Sequence, residues 1–155
     1  MNPFEIIREQ LGGAVPFARH AGVKLTHVET GLARAELEQT ATSVNHIGTQ
    51  HAGALFTLGE TASGGAMAGM FADRILNVRP IAGEAQVRYT RLAKGRITAE
   101  ARVAGARESI MAAFERDKKV AFDVAVTLSD GEGKEVATMR VSWTVKGGVS
   151  AARDY

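Results

Sequence analysis

From Ala52 to Ala72 the sequence carries one charged residue, Glu60, in a run otherwise built from Ala, Gly, Leu, Met, Phe, Ser and Thr. The run is too long for a β-strand, so it reads as a helix from about His51 to Ala72. It is apolar nearly all round, and a helix of that kind must be wrapped by other structure. Its length approaches that of a membrane span. A charge at mid-membrane is costly, and the run also holds Thr57, Thr61, Ser63, Gly59, Gly64, Gly65 and Gly69. It is therefore read as a buried helix, not a span. Each Gly costs about 1 kcal/mol of helix propensity. The return is thinness, which lets a sheet close tightly around the helix. Gly65 and Gly69 form a GxxxG spacing, read here as close packing on a neighbour.

The rest of the chain supplies the wrapping. Residues 2–10 read as a short amphipathic helix ending at Gly12-Gly13, and Pro16 to His20 as one more turn. Val23 to Glu29 and Leu32 to Gln39 read as strands joined at Thr30-Gly31. After Asp73 come four more: about Arg79 to Arg91, Ile97 to Val103, Val120 to Leu128 and Val136 to Val145. Ile97, Ala99, Ala101 and Val103 alternate with Thr98, Glu100 and Arg102, and Phe122, Val124, Val126 and Leu128 share one face. Ala137, Met139, Val141, Trp143 and Val145 form the core face of the last strand. Arg107 to Arg116 (RESIMAAFER) reads as a short helix, and Asp130 to Lys134 as a hairpin turn. The tail from Gly147 to Tyr155 reads as loose. No repeat or linker divides the 155 residues, so residues 1–155 are expected to form a single domain with a core over about 15–146. The class is α+β: about six antiparallel strands around one long central helix.

Composition narrows the function. The formal charge is +2, too small to argue for nucleic acid. There is no Cys, which removes disulfides, thiolate metal sites and Cys nucleophiles and fits a reducing, cytoplasmic setting. The N-terminus carries acids early and lacks a long apolar core, unlike a signal peptide. His20 and His27 have no partner by spacing, and no metal-ligand pattern is present.

The order of elements and the stretch NHIGTQHAGALFTLGE resemble the hot-dog fold, in particular the acyl-CoA thioesterases related to those of phenylacetate pathways. Asn45, Gly48, His51, Gly53, Leu58 and Glu60 fall at the spacings of that motif. VPFARHAGVKL and the RESIMAAFER segment are similar to uncharacterised hot-dog subgroups related to a domain of unknown function. Ala52 stands where the family usually has Gly.

A carboxylate in an apolar helix has a raised pKa unless paired, and no Lys or Arg lies within a turn of Glu60. It suits a general base or a nucleophile, and the resemblance implies that it acts on a thioester. The helix start at His51, Ala52 and Gly53 offers free N–H groups and the positive dipole end to an oxyanion. Asn45 reads either as a hydrogen-bonding partner of the attacking group or as a turn cap. His51 supports that loop or the oxyanion site; His46 is a weaker candidate. Ser63 and Gly64, about one turn past Glu60, are candidate substrate contacts. Arg88, Arg91, Lys94 and Arg96 form a basic cluster that is either a solvated rim or a seat for the phosphates of coenzyme A. Phe56, Met67, Met70 and Phe71 are candidate linings of an acyl channel.

Ala52 and Glu60 lie about 12 Å apart along the helix axis. One helix cannot bring both to one reacting carbon, whereas an antiparallel second copy can. A homodimer or dimer of dimers is therefore expected, as the resemblance also implies. The expected activity is acyl-CoA thioester hydrolysis with no cofactor, coenzyme A arriving with the substrate. The alternative is a non-catalytic acyl-CoA or lipid-binding module. A hydratase is disfavoured, because no Asp–His pair starts the helix.

Overall fold

A computed structural model describes residues 2–148. Helix α1 (Pro3–Ala14) starts where the Asn2 side chain accepts the Phe4 N–H at 3.0 Å and Pro3 presets the first turn. It does not stop at Gly12-Gly13. It runs to Ala14, until Val15 turns extended ahead of Pro16. Helix α2 (Pro16–Ala21) ends at Gly22 in the left-handed region. Strands β1 (Val23–Glu29) and β2 (Leu32–Leu37) form the expected hairpin. β2 stops two residues short of the expected Gln39, whose side chain is diverted: its Nε2 donates to the Gly48 carbonyl and its Oε1 accepts the Gly95 N–H. Helix α3 (Ala52–Met70) follows a loop. A short turn at Ile75–Asn77 leads to β3 (Val78–Tyr89), then β4 (Ile97–Val103), α4 (Arg107–Asp117), β5 (Lys119–Ser129) and β6 (Glu135–Gly147). β6 thus reaches Gly147, and the remainder of the tail, from 149 onward, lies outside the described residues.

The strands make one antiparallel sheet in the order β1-β2-β4-β5-β6-β3. It curls around α3, which is the hot-dog arrangement. Leu58, Ala62 and Ala66 on the helix are fully buried, as are Ala33, Ala35, Ala99 and Ala101 on the sheet's inner face. Small residues on both surfaces bring the backbones close, and the helix glycines mark where. A Cβ on Gly59 would lie 2.6 Å from Met139 Sδ, and one on Gly65 2.8 Å from Leu25 Cδ1. On Gly69 it would lie 2.0 Å from the Glu29 carbonyl oxygen. The thin-helix expectation therefore holds, and the neighbour of the GxxxG pair is the β1–β2 hairpin.

The wrapping is incomplete. Along α3, Gly53 and Phe56 are exposed, and Glu60 and Gly64 are part-exposed. These positions recur at three- and four-residue steps, so they form one open stripe. β3 is an edge strand, with Ile81 and Tyr89 both exposed.

Candidate active site

The site begins in the loop that leads into α3. Asn45 Oδ1 accepts the N–H groups of Ile47 and Thr49, both at 3.1 Å, and its Nδ2 donates to Thr49 Oγ1 at 2.8 Å. The Asn45 and Gln50 main chains bond to Thr49 and Ala93 respectively. The Asn45 oxygen is thus spent on folding the loop. One Nδ2 hydrogen has no partner among the described residues, so Asn45 can only donate toward a reacting group.

His51 is the N-cap of α3. Its Nδ1 accepts the Gly53 N–H at 2.8 Å, and its own N–H donates to the Ser43 carbonyl. The bond at Nδ1 leaves the imidazole hydrogen on Nε2. It also corrects the reading of Gly53: that N–H already has an acceptor and is not free for an oxyanion. The Ala52 N–H has none among the described residues. The Ala52 carbonyl accepts the Tyr89 hydroxyl at 3.0 Å, which ties the helix start to the end of β3. Partial burial raises the Tyr89 pKa, so the phenol keeps its proton and its donor role. His51→Ala is expected to destabilise the protein by about 1 kcal/mol through loss of the cap. His51→Asn should restore that stability, as read in thermal melts.

Glu60 lies two turns further along the open stripe. Its carboxylate has no hydrogen-bond or ion-pair partner among the described residues, and burial pushes its pKa above the ordinary 4.5. It is an unpaired base in a partly desolvated position. Ser63 is not a surface group. It is fully buried, its hydroxyl donates to the Glu60 carbonyl at 2.7 Å, and it accepts the Trp143 indole N–H at 3.1 Å. It offers no open face to a substrate, which corrects the sequence reading. Gly64 does reach the open stripe.

Three of the four proposed channel residues are also corrected. Met67, Met70 and Phe71 are 3%, 2% and 0% exposed. Phe71 packs on Phe114 and Phe122, with ring centroids 5.3 and 6.2 Å away. Of the four, Phe56 alone faces outward. The basic cluster divides as well. Arg96 pairs with Glu38. Arg88 alternates with Tyr89 and so projects from the opposite face of β3. Arg91 and Lys94 sit in the loop that Gln50 fastens beside the helix start, and neither forms an ion pair among the described residues.

A 420 Å³ groove of the single chain is lined by Ile6, Leu11, Ile75 and Leu76, away from Glu60. Among the described residues no helix is long and apolar enough to cross a membrane.

Residues 5–145 match the family described as a domain of unknown function, DUF4442. The chain belongs to this family. Curated proteins include no significant match. Among solved structures, this DUF4442 chain is similar to a Pseudomonas aeruginosa protein of unknown function described as a probable thioesterase. The two are 28% identical with a TM-score of 0.81, over 94% of this chain and 97% of the other. A thioesterase enzyme from Staphylococcus aureus is 21% identical with a TM-score of 0.69, over 85% and 99%. The Escherichia coli PaaI protein of the phenylacetic acid degradation operon is 19% identical with a TM-score of 0.67, over 95% and 96%. The last two share the fold.

Tyr89, Gln50 and Trp143 are the residues that sequence reasoning missed. Tyr89 and Trp143 looked like ordinary strand residues, and nothing local couples either to the helix. Gln50 is 3% exposed, with Nε2 donating to the Gly95 carbonyl and Oε1 unpartnered. A polar residue just before a helix carries no signal of burial in the sequence.

Proposed function

We propose that this chain hydrolyses acyl-CoA thioesters, with Glu60 as base or nucleophile and the start of α3 as the oxyanion site. The observation that carries the reading is Glu60: an unpaired, part-buried carboxylate on the one open stripe of a helix whose first N–H is free. The likeness to the probable thioesterase of Pseudomonas aeruginosa supports the reaction class. The thioester oxygen takes the Ala52 N–H, while Gly53 serves the cap. Glu60 removes a proton from water as it attacks the carbonyl, or attacks it directly and yields the acid after hydrolysis. The C–S bond breaks, and coenzyme A leaves as the thiol. Asn45 donates its remaining Nδ2 hydrogen toward the attacking group. Arg91 and Lys94, beside the helix start, suit the phosphates of coenzyme A, whereas Arg88 faces away within its own chain.

The 12 Å between Ala52 and Glu60 along the axis makes a second copy part of the site. β3 is a long edge strand, which invites pairing with its own copy. A two-fold axis there sets the two α3 helices antiparallel and covers Phe56. The expected mass in solution is therefore at least twice 16.4 kDa, checked by light scattering on a sizing column. A monomer active at full rate would sink the shared-site geometry.

The occupied Ser63 hydroxyl favours one second reading, an acyl-CoA-binding module without turnover. A single assay separates the two. With no Cys in the chain, thiol release from short, medium, long and aryl acyl-CoAs can be followed by a thiol dye without protein background. Turnover establishes the hydrolase. Binding without thiol release leaves the module.

A further inference from the structure

Resting on the hydrolase reading, we infer that Trp143 is the floor of the acyl pocket and restricts the substrate to short-chain or single-ring acyl groups. At 100° per residue, positions 53, 56, 60, 64 and 67 of α3, followed by its C-cap Phe71, fall in one sector of the helix. The first four are open and the last two are buried. The change falls where Trp143 crosses the helix. Its indole N–H is fixed to Ser63 on one side of that sector. The same edge of the ring continues from the N–H to Gly64, where a Cβ would stand 3.6 Å from Cζ2 and 3.8 Å from Cη2. Ser63 and Gly64 flank the direction in which Glu60 points, so the ring spans the stripe one turn below the carboxylate. Four residues separate Glu60 from Gly64, about 6 Å of helix. An acyl group lying along the stripe from Glu60 meets the indole within that distance. The ring lies beside the Gly64 backbone, and the Ser63 hydroxyl fixes its N–H and so its orientation.

The same geometry explains why Ser63 is buried yet lies so close to Glu60. It holds the floor and does not touch the substrate. Trp143 is thus a specificity residue, and Ser63 positions it.

The test uses the full chain with butanoyl-, hexanoyl-, phenylacetyl- and dodecanoyl-CoA, together with the matching non-hydrolysable thioethers of coenzyme A. Thiol release gives kcat/KM for the esters, and calorimetry gives Kd for the thioethers. Wild type is expected to favour the butanoyl and phenylacetyl compounds over the dodecanoyl compound by about tenfold or more in both measures. W143L shortens the floor and should remove most of that preference by improving the dodecanoyl value. W143F keeps a ring and should retain it. Should W143L fail to fold, S63A, which frees the indole and leaves its volume, should weaken the preference in part.

Equal values for all four compounds in wild type would overturn the inference. So would an unchanged preference in a folded W143L protein. Length-selective thioether binding without turnover would keep the floor and remove the hydrolase. Turnover without length preference would do the reverse, and no binding at any length would remove both.

Discussion

Glu60→Gln is expected to lower kcat for acyl-CoA hydrolysis by about 10²-fold or more, the contribution typical of a positioned general base. The same substitution should raise the melting temperature at neutral pH. Burial raises the Glu60 pKa above 4.5 in the folded chain. Well below 4.5 the carboxyl is protonated in both folded and unfolded states and has no effect on the balance. As pH rises past 4.5, the unfolded chain ionises first, so folding loses stability until pH passes the higher folded value. The neutral amide carries no such cost. The stability advantage of Glu60→Gln should therefore be absent near pH 3 and grow as pH rises above 4.5. Wild-type activity should follow the opposite course, rising through an inflection above 4.5 as the carboxylate forms. Thermal melts from pH 3 to 8 check the first statement and a rate–pH profile the second. Equal melting temperatures at neutral pH would mean that the carboxylate finds a partner in the assembled protein.

Gly69→Ala is expected to destabilise the fold by more than about 3 kcal/mol, beyond the usual range for an overpacked core. Two effects compete. Alanine improves helix propensity by about 1 kcal/mol. Its Cβ, however, would stand 2.0 Å from the Glu29 carbonyl oxygen, which belongs to backbone at the end of β1 and cannot rotate away. The clash wins, and α3 would have to lift from the hairpin. Gly13→Ala is the control. Gly13 is also helical, a Cβ there meets nothing within 4 Å, and the change should stabilise by up to about 1 kcal/mol. At about 2–4 °C per kcal/mol for a chain of this size, the two melts should move in opposite directions and be readily resolved.

Much of the architecture is legible in the sequence because two periodicities write it there. The uninterrupted apolar run forces a buried helix. The alternation assigns Ile97, Ala99, Ala101, Phe122, Val124, Val126 and Leu128 to the sheet's inner face, where they lie, whereas Val103 at the strand end is only half-buried. The glycines announce a thin helix, although which backbone each one meets depends on the sheet's register. Glu60 is conspicuous for the same reason: a lone charge in an apolar run has an electrostatic cost that composition alone reveals.

What the sequence by itself determined is therefore the α+β class, the buried helix and the unpaired carboxylate on it, all consequences of local pattern. The tertiary structure decided which polar groups remain free. The His51 imidazole takes up the Gly53 N–H, loop folding takes up the Asn45 oxygen, and Trp143 takes up Ser63. It also decided where the open stripe of α3 ends, by laying a strand residue eighty positions from Ser63 across the helix. Hydrogen-bond partners and burial depend on distances between elements remote in sequence, and only packing of the whole chain sets those distances.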